Sequence, residues 1–160
     1  MKVGDIVIVA NLGEMKVYKA NPRDLEAEAG LKPDHIKLDL VNAIDYVEAH
    51  WKLQDIVTDE AGRFKADAGK MGANAGERHE LEKKMEEDVI KVIAEDIAKM
   101  VAQYNPPKYF LALPQTIFKR VWERVDQSAK DKLFRYVEED LTKTDKNKLP
   151  EIFKEKGKHF

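Results

Sequence analysis

The chain contains no cysteine, which removes disulfides, thiolate metal sites, iron–sulfur ligation and cysteine nucleophiles together and fits a reducing compartment. Glycine and proline are scarce, at 8 and 6 residues, so collagen-like and low-complexity readings fail. Serine occurs once, at Ser128, outside any nucleophile-elbow setting, where capping a short helical turn explains it. Serine hydrolase chemistry is thereby disfavoured. The apolar run Ile6-Val7-Ile8-Val9-Ala10 is too short for a signal core or a membrane span, and Asp5 precedes it in place of a basic cluster. The expectation is a cytoplasmic protein with no membrane partner.

Charge of one sign is also lacking. The 28 basic and 30 acidic side chains leave a net charge of −2, which excludes a generally basic, RNA-coating protein and restricts any polyanion site to a local exception. What remains is ordinary globular composition, 43% hydrophobic and 36% charged over 160 residues. That length suits one domain, 1–160, with a sizeable core.

Ile6 to Ala10, the turn Asn11-Leu12-Gly13 and the alternation of Met15 and Val17 against Lys16 and Tyr18 predict a hairpin. Residues 21–34 read as a polar excursion, with a helical turn at 24–29. A third strand is expected near Leu38 to Tyr46. A turn follows at Asp59-Glu60-Ala61-Gly62, then a mobile glycine-rich loop over 66–76.

From Glu77 to Gln103, the residues Leu81, Met85, Val89, Val92, Ile93, Ile97, Met100 and Val101 recur at steps of three and four, which predicts a long amphipathic helix. Opposite charges four apart, Glu87/Lys91 and Glu95/Lys99 among them, agree with it. Asn105-Pro106-Pro107 ends it. The wholly apolar Tyr109 to Leu113 is expected at the centre of the sheet, and Pro114 opens a helix with Ile117, Phe118, Val121, Trp122 and Val125 inside. Leu133 to Val137 reads as a further strand. A last helix starts either from an Asp145 cap or at Pro150.

For chemistry, the four histidines show no zinc-site spacing, His159 is expected to fray, and no metal or cofactor is implied. The acidic runs Glu86-Glu87-Asp88 and Glu138-Glu139-Asp140 are expected as solvated surface. A phosphoester hydrolase would require Asp5, Asp59, Asp67 and Asp140 to converge around a metal ion. The remaining constellation is the glycine-rich loop running into Glu77-Arg78-His79. Free N–H groups at a helix start seat anions, and Arg63, Lys65, Lys70, Asn74, Arg78 and His79 are the candidate anion- or RNA-binding residues. No catalytic residue is assigned.

Several short motifs follow one order: Asp59-Glu60-Ala61-Gly62-Arg63-Phe64, the loop ending in Arg78-His79, Phe110-Leu111-Ala112-Leu113-Pro114 with its helix, and Glu139-Asp140-Leu141-Thr142 before Leu149-Pro150. Over roughly Ile6 to Phe153 this order resembles the host-attachment protein family, grouped with bacterial relatives of the archaeal and eukaryotic class 1 peptide-chain release factors. The resemblance implies a single α/β domain with a mixed sheet flanked by helices, ribonuclease H-like as in the central domain of those factors. It implies a ribosome- or RNA-associated binding module, or alternatively a role in attachment to host cells. The release factors carry a Gly-Gly-Gln loop. Here Gly72-Ala73-Asn74-Ala75-Gly76 lacks it, so peptidyl-tRNA hydrolysis is not assigned. Glu139 also departs from the family pattern, in which a lysine is usual.

Overall fold

A computed structural model describes residues 1–47 and 75–160, with side chains in the second stretch from residue 79 onward. Strand β1 is Ile6–Ala10 and β2 is Glu14–Pro22, paired antiparallel with Ala10 opposite Met15. After the short helix α1, Leu25–Glu28, strand β3 runs Ile36–Asp45 antiparallel to β2, with a register shift at Val17/Tyr18. The long helix α2 is Ala75–Tyr104. Strand β4, Tyr109–Ala112, then lies parallel to β1; helices α3, Gln115–Trp122, and α4, Gln127–Lys130, carry the chain across to β5, Leu133–Val137, parallel to β4. A 3-10 turn at Lys146–Lys148 leads into α5, Leu149–Lys156.

The sheet order is β3-β2-β1-β4-β5. The middle position therefore belongs to β1, not to the Tyr109 strand, which lies beside it. Both strands are buried along their whole length, so an apolar run alone could not rank them. Pleating sends Ile6, Ile8 and Ala10 to one face and Val7 and Val9 to the other. The first face packs on α2, α3 and α4 through Ile90, Ile93, Ile97, Ile117 and Val121. The second is covered by Leu141, Leu149 and Phe153. Burying each such side chain contributes roughly 1.5–3 kcal/mol. The molecule is a single mixed α/β domain with helices on both faces of a five-stranded sheet.

Local differences from the sequence reading have physical causes. Helix α2 begins at Ala75, so Ala75 and Gly76 are helical and not loop, while 66–74 and the turn at 59–62 lie outside the described residues. Leu81 and Val92 are exposed, and Ile90 and Ala94 fill the core in their place; the helix face that meets the sheet is rotated from the one the spacing suggests. Glu87 is held by Arg120 and, at 3.3 Å, by Arg124 of the neighbouring helical layer, so tertiary contacts win over its pairing with Lys91. The left-handed φ of Asn105, 41°, turns the chain out of α2.

Asp126, not Ser128, occupies the N-cap of α4, and the Ser128 hydroxyl donates to it. The two expected starts of the last helix both occur. Asp145 caps the 3-10 turn by accepting from Asn147 N–H at 2.9 Å, and Pro150 sits in the first turn of α5, where a missing N–H is harmless.

Candidate functional site

At the carboxyl ends of β1 and β4 the chain leaves the sheet in opposite directions, from β1 into the hairpin toward β2 and from β4 through α3 toward β5. Parallel strands whose connections diverge in this way mark the position at which open α/β sheets bind ligands. Polar residues of the β1–β2 turn and of the segment after β5 meet here.

Asn11 is the hinge of the arrangement. Its side-chain oxygen accepts from Gly13 N–H at 2.7 Å and Glu14 N–H at 2.8 Å, so the side chain itself closes the hairpin turn. That fixes the direction of its nitrogen, which donates to Asp140 Oδ2 at 2.9 Å and Thr142 Oγ1 at 3.1 Å. Thr142, fully buried, returns two bonds to Asp140 Oδ1, from its hydroxyl at 2.6 Å and its N–H at 3.0 Å. Lys16 Nζ donates to the Thr142 carbonyl at 2.8 Å, and Lys143 faces Glu14 at 3.2 Å.

The electrostatics follow from these donors. Partial burial alone raises the Asp140 carboxyl, but hydrogen bonds from Thr142 and Asn11, with the nearby Lys143 charge, outweigh it and hold the group below the ordinary carboxylate range. The acid is therefore ionised at neutral pH, its outer edge open to solvent beside the exposed Lys143. The surface can accept and donate hydrogen bonds and present charges of both signs. Glu139 and Asp140 are solvated as expected, and Asp140 in addition anchors a network.

The residues singled out from sequence fall elsewhere. Arg63, Lys65, Lys70 and Asn74 lie outside the described residues; Arg78 lies in the first turn of α2, and His79, one residue on, is exposed. Asp5 and Asp140 do not converge. Asp5 precedes β1 and Asp140 follows β5, at opposite ends of parallel strands whose five residues span about 16 Å. Asp59 and Asp67 are outside the described residues, and among those described no three His, Asp or Glu side chains group as metal ligands.

Asp5 is only 1% exposed; burial raises its carboxyl above the ordinary range, against the Lys2 N–H at 2.8 Å and Lys108 at 3.8 Å. On the opposite face, Tyr46 donates to Asp96 at 2.6 Å between β3 and α2, both side chains being buried. Burial and that carboxylate raise the phenol.

Sequence reasoning missed Asn11, Lys16 and Thr142 as one group because 129 residues separate Asn11 from Asp140. The available signals were an Asn opening a tight turn and the Asp140-Leu141-Thr142 motif.

These features define a mixed α/β domain with a polar hydrogen-bond network joining the β1–β2 turn to the segment after β5. A family model described as "Protein required for attachment to host cells" matches residues 6–152, and the chain belongs to that family. No curated protein and no solved structure matches the chain. No described helix is long and apolar enough to cross a membrane.

Proposed function

We propose that this protein serves attachment to host cells as a binding protein, with the surface around Asn11, Asp140 and Lys143 as its contact site. The observation that carries the reading is the family match across residues 6–152. The geometry supports a binding role: the polar groups of this network are tied to one another, which gives a preorganised surface with the Asp140 and Lys143 charges outward. The proposed location is the cytoplasm, so the role in attachment is indirect, and fractionation of intact cells tests it. Protein recovered outside intact cells would move the role to the surface.

A second reading keeps the kinship to class 1 release factors and a ribosome or structured RNA as partner. It is supported by topology: an order of β3-β2-β1-β4-β5 in which β2 alone runs against the others fits a ribonuclease H-like sheet. Its contact surface would be the start of α2 with Arg78 and His79. Ribosome cosedimentation at low salt, lost in an Arg63, Arg78 and His79 triple alanine variant, supports it; no association of the unaltered protein removes it.

A further inference from the structure

The segment from Gly157 to Phe160 turns back along β5, which is an edge strand. Lys158 exchanges both backbone hydrogen bonds with Tyr136, at 2.9 and 3.0 Å. This pairing corrects the expectation that His159 frays. His159 meets the Phe134 ring edge-on at 5.1 Å and receives a bond from Arg135 Nε at 3.2 Å. Phe160 stacks on Tyr136 at 4.3 Å and on Trp122 at 5.1 Å, the latter within 5° of parallel.

Between these elements lies a cleft of about 350 Å³. Its lining joins the Trp122–Phe160 pair to Phe134 and His159, with Gln127 and Lys130 as the other polar groups. Two properties identify what it suits. First, aromatic surface remains open to water: Phe160 is 71% exposed although stacked on two rings, and Phe134 is 37% exposed. Second, no Asp or Glu side chain lines the cleft, and Lys130 Nζ lies 5.7 Å from the Trp122 ring centre. Among the described residues no carboxylate forms an ion pair with Lys130, whereas Lys108, near the far side of Phe134, is engaged by Asp5.

Exposed aromatic surface on Phe160 and Phe134, beside a lysine with no ion-pair partner among the described residues, matches a ligand that is planar and aromatic at one end and anionic at the other. Bases stack on such rings with little sequence preference, and lysine supplies the phosphate contact. We propose that this cleft binds a nucleotide unit, its base against the exposed Phe160 and Phe134 rings and its phosphate on Lys130. The inference goes beyond the attachment reading and does not depend on it. The same chemistry is presented by a free nucleotide and by a single strand of RNA.

The test uses the full chain at low salt. Anisotropy of a labelled single-stranded RNA of about 12 nucleotides and calorimetry with free AMP and UMP are compared for the unaltered protein, Lys130→Glu and Phe160→Ala. Both substitutions are at the surface, and a thermal melt verifies their folding. The expected result is binding that weakens about tenfold in each variant with the melt unchanged. Binding of free nucleotide identifies a nucleotide pocket, and binding of the strand alone a strand groove. Absence of binding to every probe, equal binding by folded variants, or preferential displacement by an acidic monosaccharide such as glucuronic acid overturns the proposal.

Discussion

The side-chain nitrogen of Asn11 donates to Asp140 Oδ2 at 2.9 Å across 129 residues of chain, while the oxygen of the same amide closes the β1–β2 turn. One side chain thus sets a local turn and a long-range contact together. The turn orients the nitrogen, and the nitrogen positions the segment after β5 that carries Asp140 and Lys143.

Asn11→Ala removes both functions. It is expected to lower stability by about 1–3 kcal/mol, the cost of leaving partly buried partners unsatisfied. Asp140→Ala should cost less on its own, because its outer edge is solvated. In a double-mutant cycle by urea denaturation, the pair should show a coupling of at least about 0.5 kcal/mol. Strict additivity would show that the contact contributes nothing.

Asp140 also fixes a pH dependence. Its carboxyl is held below the ordinary value, so the unfolded chain binds the proton more readily than the folded one. The contribution is present above about pH 4 and is lost as pH falls through the depressed folded value. Asp140→Asn should flatten the acid side of the stability profile, by a small amount given the exposure of the group. A parallel profile in the variant contradicts this assignment.

Asp5 behaves in the opposite sense. Burial raises its carboxyl, so the folded state binds the proton more tightly, and stability declines as pH rises above about 4 toward and through the folded value. Asp5→Asn should keep or raise the melting temperature at pH 7 and remove that decline. A marked loss at neutral pH would instead mean that the 3.8 Å contact with Lys108 outweighs desolvation.

Tyr46→Phe leaves the Asp96 carboxylate in its buried position without the hydroxyl that approaches to 2.6 Å. A loss of about 1.5–3 kcal/mol is expected, as for hydrogen bonds to charged groups. Adding Asp96→Leu should recover part of it, since removing both partners costs less than stranding one. Chemical denaturation of the unaltered protein and the two variants measures this directly.

Periodicity carried much of the architecture. Ile6 to Ala10, Tyr109 to Leu113 and Leu133 to Val137 announce strands because β-branched and aromatic residues crowd short segments, and α2 is visible in its steps of three and four. Sheet order was not legible: β1 and β4 are equally apolar, and only tertiary pairing makes β1 central. The rotation that exposes Leu81 and buries Ile90 depends on how α2 lies across the sheet, which its own spacing does not encode. The polar network was hidden for a similar reason. Asn11 reads as a turn residue and Asp140 as one of three consecutive acids until the parallel pairing of β1, β4 and β5 brings their ends together. Most of the cations chosen from sequence lie outside the described residues, and the Asn11–Asp140 network is built from other side chains.

The most direct measurement of the central claim is host-cell adhesion by a strain lacking the gene, complemented with the unaltered protein or with an Asp140→Ala, Lys143→Glu variant shown by its melt to be folded. Restored adhesion with the unaltered protein, and adhesion near the uncomplemented level with the variant, is the predicted result. Full adhesion without the gene, or full rescue by the folded variant, contradicts it.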